Sequence, residues 1–174
     1  MKQRPRDAWE DAVIGIAGPV AGSAGAAVVA AGAHALDSQL LYALADFGFM
    51  INLFNLLPIG QLDGGRISGA ISWYVGVAGL GLGGMLAYSG SIQNPIFYLI
   101  LLSGGYETFQ RFYNPHLLPP NYYKITPVQR TVITGGYIGL IAALIAAMGA
   151  NRYYRKPPEV LVEEARREKS WDMR

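Results

Sequence analysis

The residues with the clearest potential for chemistry lie between Asn52 and Arg66, where an apolar helix is expected to end. Pro58 breaks the helical pattern, and three glycines in the next seven residues favour irregular backbone around one acidic residue, Asp63. A carboxylate on such a turn can bind a metal ion through one oxygen. The same carboxylate could instead cap the following helix or pair with Arg66, and the local sequence leaves these alternatives open.

The charges of the chain are concentrated at its two ends. Of 14 basic and 12 acidic residues, only eight lie between residues 12 and 151, whereas a soluble domain is about one-quarter charged. This low charge predicts that the middle of the chain is a membrane domain surrounded by the lipid bilayer, with a polar segment at each end. The net charge of +2 gives no argument for a nucleic acid partner. The lack of cysteine excludes disulfides, thiolate metal sites and a cysteine nucleophile.

Long stretches without charges predict the membrane helices, because one span needs about 20 residues. The expected fold class is an all-α integral membrane protein with glycine-rich packing and a broken helix end before residue 66. About five transmembrane helices are expected, over residues 13–36, 39–58, 68–88, 93–107 and 131–150. Together they make residues 1–150 a membrane domain, and residues 151–174 a charged carboxy-terminal tail. Turn residues at 89–95 are the expected fold-back point of the long charge-free stretch.

The positive residues in short loops predict the orientation of the chain in the membrane. With the amino terminus inside, the inner loops hold every positive residue of the predicted membrane domain, and the outer loops hold none. Five spans place the tail outside. The tail begins with three positive residues, which the same rule would keep inside.

Two acidic residues, Asp46 within the second predicted span and Asp63 just after it, lie at different expected depths in the membrane. Within a bilayer, irregular backbone is tolerated where protein buries it or where it lines a wet cavity. An acidic residue at that depth requires a cation, a polar partner or water, so we expect the carboxylate of Asp63 to have one of these. Asp46 is expected near the outer headgroups, where it would snorkel or cap.

Three segments resemble sequences of the site-2 proteases, which are intramembrane zinc metallopeptidases. Asn55 and Pro58, followed by Leu62-Asp63-Gly64-Gly65-Arg66, resemble the second signature of that family. The Gly15–Pro19 segment is similar to the Ala-Gly-Pro segment that opens the preceding helix in many bacterial members. Residues 123–130 are similar to the loop before their last helix. The resemblance covers most of the chain, from about residue 7 to residue 150.

The resemblance implies a role for each of these residues. Asp63 would be the third zinc ligand, and Asn55 and Pro58 would shape the substrate cleft. In the family, two histidines of an H-E-x-x-H helix complete the zinc site, and the glutamate between them is the general base. The implied activity is the hydrolysis of peptide bonds in or near transmembrane segments of other proteins. The implied location is the plasma membrane of a bacterium, with a multi-pass topology.

The chain departs from the family pattern because neither His34 nor His116 belongs to an H-E-x-x-H motif. Family members carry that motif in a part that would precede Met1. The chain therefore resembles the carboxy-terminal half of the enzyme and is expected to be inactive alone, unless another polypeptide supplies the motif. His34 is expected at the opposite membrane face from Asp63, and His116 lies in an inner loop without a glutamate at helical spacing. Neither is expected to bind the metal.

Two functions other than proteolysis remain open at this point. A pseudoprotease would use the same cleft to bind or sequester transmembrane helices without cleaving them. A small channel or transporter is suggested by the glycine-rich helices and by the helix broken at Pro58. That last class usually has several intramembrane charges, and the predicted spans of this chain have few.

Overall fold

Six helices form the part of the chain that the structure describes. The computed structural model describes residues 5–90, 95–114, 119–156, 159–160, 162–163 and 166–167. The helices are α1 (Ala8–Leu36), α2 (Gln39–Asn55), α3 (Asp63–Ile71), α4 (Trp73–Tyr88), α5 (Pro95–Tyr113) and α6 (Pro127–Tyr154). These residues contain no strand, so the all-α class predicted from the sequence is confirmed.

A tight turn joins α1 to α2 and makes them an antiparallel pair. The side chain of Asp7 caps α1 by accepting a hydrogen bond from the amide of Glu10. Asp37 ends the helix in the left-handed conformation, with φ of 44°, which aspartate adopts more readily than most residues. Ser38 then caps α2 through the amide of Leu41.

The helix predicted over residues 68–88 is divided in the structure. Ser72 has an extended conformation, with φ of −168° and ψ of 139°, between α3 and α4. Its hydroxyl accepts a hydrogen bond from the amide of Tyr74 and thereby caps α4. Serine favours such a cap over a helix interior because its side chain competes for backbone partners.

The central helix of the fold is α1, which packs against α2, α3 and α6. The amide of Ala8 donates to the carbonyl of Tyr122, which precedes α6. At the other end, the rings of His34 and Tyr154 are 5.1 Å apart. Since the start of α1 lies beside the start of α6, and the end of α1 lies beside the end of α6, the two helices run in the same direction. The hairpin of α4 and α5 is joined to this bundle mainly through α3.

Two of the described helices, α1 and α6, are long and apolar enough to cross a membrane. Within their most apolar stretches, 22% of the residues of α1 and 17% of those of α6 are buried in the fold. Most of their apolar surface therefore faces outward. Helices α2 and α4 have 17 and 16 residues, which is below the roughly 20 residues of a full span. Of the five predicted spans, therefore, the two that correspond to α1 and α6 have the length and apolar character needed to cross a membrane.

Candidate functional site

The backbone that carries Asp63 folds back closely onto the end of α2. Asp63 is the first residue of α3, after the extended residue Leu62. A Cβ atom on Gly64 would overlap the carbonyl of Leu56, and one on Gly65 would overlap the backbone of Gly60. Only glycine permits these approaches, so the glycine pair of the Leu62–Arg66 motif allows the chain to turn into α3 at this point.

The carboxylate of Asp63 lies against α1. A Cβ atom on Gly18 would be 3.2 Å from the Oδ2 atom of Asp63, and one on Gly15 would be 3.0 Å from its backbone oxygen. Gly15 and Gly18 belong to the segment that resembles the Ala-Gly-Pro sequence of the family. Two motifs that are more than 40 residues apart in the chain are therefore in contact.

The environment of Asp63 is partly buried and close to a cation. The side chain of Asp63 is half-buried, and Arg66 follows it by three residues on α3. The position in the first turn of α3 also suits an anion, because the amino end of a helix carries partial positive charge. Leu62 rather than Asp63 occupies the capping position, and it makes no side-chain capping hydrogen bond.

Arg66 forms its ion pair with Asp11 of α1 rather than with Asp63. The Nε and Nη2 atoms of Arg66 each lie 2.7 Å from Oδ1 of Asp11. The hydroxyl of Tyr122 donates to Oδ2 of the same carboxylate at 2.5 Å. The side chain of Asp11 is 7% exposed. We refer to Asp11, Arg66 and Tyr122 as the Asp11 cluster.

The two residues predicted to shape a cleft lie at the end of α2 and in the irregular segment that follows it. Asn55 is the last residue of α2 and is half-buried. Pro58 packs against α4, because a Cβ atom on Gly79 would overlap the ring and the carbonyl of Pro58. Asp63 faces α1 instead. Pro58 and Asp63 therefore contact different helices, α4 and α1.

A buried amide that the sequence analysis did not identify lies next to α1. Asn52 is 9% exposed, and its Nδ2 atom donates to the carbonyl of Gly48 at 2.8 Å. A Cβ atom on Gly22 would overlap the Asn52 side chain. The spacing of Asn52 and Asn55 on one helix could have indicated it, since residues three apart are neighbours on a helix surface.

The face of α1 beside Asp63 consists of small residues, and it is open apart from the contacts of Asp63 at Gly18 and of Asn52 at Gly22. Gly18, Ala21, Gly22 and Gly25 are exposed, and nothing lies within 4 Å of a Cβ atom on Gly25. Small residues let a second helix approach closely within a membrane. The carboxylate of Asp63 is at the edge of this face, against Gly18.

Neither histidine lies near Asp63 in the part of the chain that the structure describes. His34 lies 16 residues after Gly18 on α1, which corresponds to roughly 24 Å along the helix. Its Nδ1 atom is 3.3 Å from the hydroxyl of Tyr42. His116 lies outside the described residues. Within the part of the chain that the structure describes, no three His, Asp or Glu residues form a group that could hold a metal ion. The described residues therefore do not fit a complete zinc site.

Asp46 belongs to a second polar cluster, at the opposite end of α1 from Asp63. Its Oδ1 atom accepts a hydrogen bond from Nδ2 of Asn151 at 2.7 Å, and its Oδ2 atom lies 3.3 Å from Nη1 of Arg155. The side chain of Asp46 is 14% exposed. Asp46, Asn151 and Arg155, the Asp46 cluster, join α2 to the end of α6. This pairing gives Asp46 partners within the protein, which its position in the sequence did not predict.

A cavity of about 810 Å³ lies on the other side of α3 from α1. Ser68 and Gly69 of α3 line it, together with residues of α4 and α5 that include Trp73 and Glu107. Because Arg66 and Ile67 face α1, the cavity and the Asp63 carboxylate are on different faces of the same short helix.

No protein-family model matches the chain, and no curated protein or solved structure is detectably similar to it.

Proposed function

We propose that the chain is the carboxy-terminal half of a site-2-protease-like intramembrane zinc metallopeptidase. In this proposal it contributes Asp63 as one zinc ligand, and an H-E-x-x-H helix from elsewhere supplies the other two ligands and the general base. The observation that supports the proposal most directly is the contact between Asp63 and Gly18. Two segments that resemble the same family are in contact, and the contact is at the carboxylate of Asp63.

The proposed setting is a multi-pass protein of a bacterial plasma membrane. The outward-facing apolar surfaces of α1 and α6 support membrane insertion, because water-soluble proteins rarely expose apolar patches of this extent. The common direction of α1 and α6 agrees with an odd number of spans. The two shorter helices α3 and α4 would together account for the third predicted span.

The open face of α1 supports the requirement for another helix. A transmembrane helix that packs on the exposed residues Gly18, Ala21 and Gly25 would approach the α1 backbone closely and would pass beside Asp63. Its own side chains would have to supply the remaining ligands, since a catalytic zinc ion normally takes three from the protein. No catalytic step is assigned to the chain alone, and its substrate would be a transmembrane segment of another protein.

Coexpression tests the proposal. The full chain is produced with a separate single-span polypeptide that carries H-E-x-x-H, and both the bound helix and the zinc are measured after purification through a tag on the chain. We expect about one zinc ion per complex. Asp63→Asn should lower the zinc content at least about tenfold, because a neutral amide is a poor ligand for zinc.

Two controls define the result. Asp46→Asn removes a carboxylate from the other end of the bundle and should leave the zinc content unchanged. A partner helix in which both histidines are alanine should bring no zinc. Zinc binding that is the same with and without Asp63→Asn would contradict the proposal.

The open face of α1 also supports a second candidate, the pseudoprotease that binds transmembrane helices without cleaving them. The same experiment separates the two functions. A pseudoprotease would retain apolar helices of either sequence, with no zinc and no dependence on Asp63. Substitution of Gly25 by a large residue would weaken that retention, because it would close the face on which the helix packs without touching α2.

A further inference from the structure

The contacts between α1 and α3 form an ordered series along both helices. Asp11 binds Arg66, and a Cβ atom on Gly15 would be 3.3 Å from Cβ of Arg66. Gly18 contacts the Asp63 carboxylate. As the residue number rises on α1 it falls on α3, so the two helices are antiparallel here, with the Asp11 ion pair at one end of the contact and Asp63 at the other.

Helix α3 has little capacity to hold its own orientation. It contains nine residues, three of which are glycine, and no side chain caps its amino end. Short helices of this kind are unstable alone, and each glycine lowers helix stability further relative to alanine. Tertiary contacts must therefore set the rotation of α3 about its axis.

The Asp11 cluster is suited to set that rotation. Arg66 follows Asp63 by three residues, so both side chains project from neighbouring positions on one face of α3. Asp11 is buried, and a buried carboxylate requires good partners to offset its lost hydration. It obtains them from segments 55 and 111 residues away in the chain. Displacement of Arg66 would leave that buried charge without its main partner.

We infer that Asp11 is a positioning residue, which acts through Arg66 to hold the Asp63 carboxylate against Gly18. Tyr122 connects the segment before α6 to the same carboxylate, so a shift of that segment would be transmitted to α3. The importance of this position as a metal site rests on the proposed function. The positioning itself can be measured without metal.

Disulfide formation provides that measurement, because the natural chain contains no cysteine. The reporter pair is Gly18→Cys with Asp63→Cys, since the Gly18 Cβ position is 4.0 Å from Cγ of Asp63. The control pair is Ala26→Cys with Gly48→Cys, where the two Cβ positions are 3.0 Å apart between α1 and α2. The full chain is oxidised in membranes, and the remaining free thiols are counted with a maleimide polymer.

We expect Asp11→Asn to slow disulfide formation in the reporter pair about tenfold, because the bond tolerates little change in geometry. The control pair should react at its original rate. Asp11→Glu, which keeps a carboxylate within reach of Arg66, should recover much of the reporter rate. Asp46→Asn breaks an ion pair in the same bundle and should change neither pair.

Two results would overturn the inference. One is an unchanged reporter rate in the Asp11→Asn chain. The other is an equal loss at both pairs, since Asp11 would then hold the whole bundle rather than α3. The zinc measurement on the coexpressed helix is independent of these rates. A slowed reporter pair together with zinc binding that ignores Asp63 would preserve the positioning role and reject the proposed function.

Discussion

The two ends of the bundle use the same chemistry for different purposes. Each has an aspartate that is mostly buried, an arginine that pairs with it and a neutral group that donates a hydrogen bond. The Asp11 cluster joins α1, α3 and the segment before α6, whereas the Asp46 cluster joins α2 to the end of α6. Only the Asp11 cluster includes a residue of the segment that carries Asp63. The comparison separates an ion pair that holds helices together from one that also orients a candidate ligand.

The aspartate of the Asp11 cluster is more buried than that of the Asp46 cluster, and its arginine is closer to the carboxylate. The side chain of Asp11 is 7% exposed, and both of its partners lie within 2.7 Å. The side chain of Asp46 is 14% exposed, and its arginine is at 3.3 Å. Shorter and drier charge-assisted hydrogen bonds are stronger and more restrictive in geometry. The tighter cluster is therefore the one beside the irregular backbone.

The largest predicted effect is the loss of stability when Asp11 is neutralised. Asp11→Asn should lower the free energy of unfolding by about 3 kcal/mol, because it leaves Arg66 partly buried without a countercharge. Asp46→Asn should cost about 1 kcal/mol, as its partner is more exposed. Denaturant titration of helicity in detergent micelles measures both. Equal losses would remove the distinction between the two ends.

The second prediction concerns the α1–α2 contact between the clusters. Gly22→Ala should destabilise the protein by about 2 kcal/mol, because the new methyl group overlaps the Asn52 side chain. Gly25→Ala is the matched control on the same helix, with nothing within 4 Å of its Cβ position. It should stabilise the protein by up to about 1 kcal/mol through helix propensity. The same unfolding titration tests whether these effects have opposite signs.

The local features of the chain were predictable from its sequence, since they depend on neighbouring residues. The helical class follows from long apolar stretches, and the end of α2 before Asp63 follows from Pro58 and the glycines. The break at Ser72 was not predicted, because a single capping serine inside an apolar run gives a weak signal.

The clusters were not predictable, because their members come from distant parts of the chain. Asp11 lies among the charges of the amino-terminal end, and its burial depends on Arg66 and Tyr122, which are 55 and 111 residues away. The pairing of Asp46 with Arg155 is equally distant. The contact of Asp63 with Gly18 joins two motifs that the sequence identified separately, but no local pattern fixes the distance between them.

The smallest predicted effect is on the free energy of unfolding when Asp63 is neutralised. This change should stabilise the protein slightly, whereas neutralising Asp11 at the same helix contact should destabilise it. The Asp63 carboxylate is half-buried against Gly18, and burial removes part of the hydration that stabilises its charge. Its ionisation therefore opposes folding, and the penalty is absent once the carboxyl is protonated. Asp63→Asn should be slightly more stable than the natural chain at neutral pH, and this advantage should disappear as the pH falls and the carboxyl takes up a proton.

Unfolding titrations at several pH values measure the difference between the Asp63→Asn and natural chains, in which the other carboxyl groups cancel. The Asp11→Asn chain serves as the reference of opposite sign, because it should remain less stable at neutral pH. A carboxylate that weakens the fold beside one that strengthens it is the pattern of a residue kept for binding rather than for stability. A destabilising Asp63→Asn substitution at neutral pH would instead make Asp63 a structural partner of Arg66 and would place both aspartates in the same class.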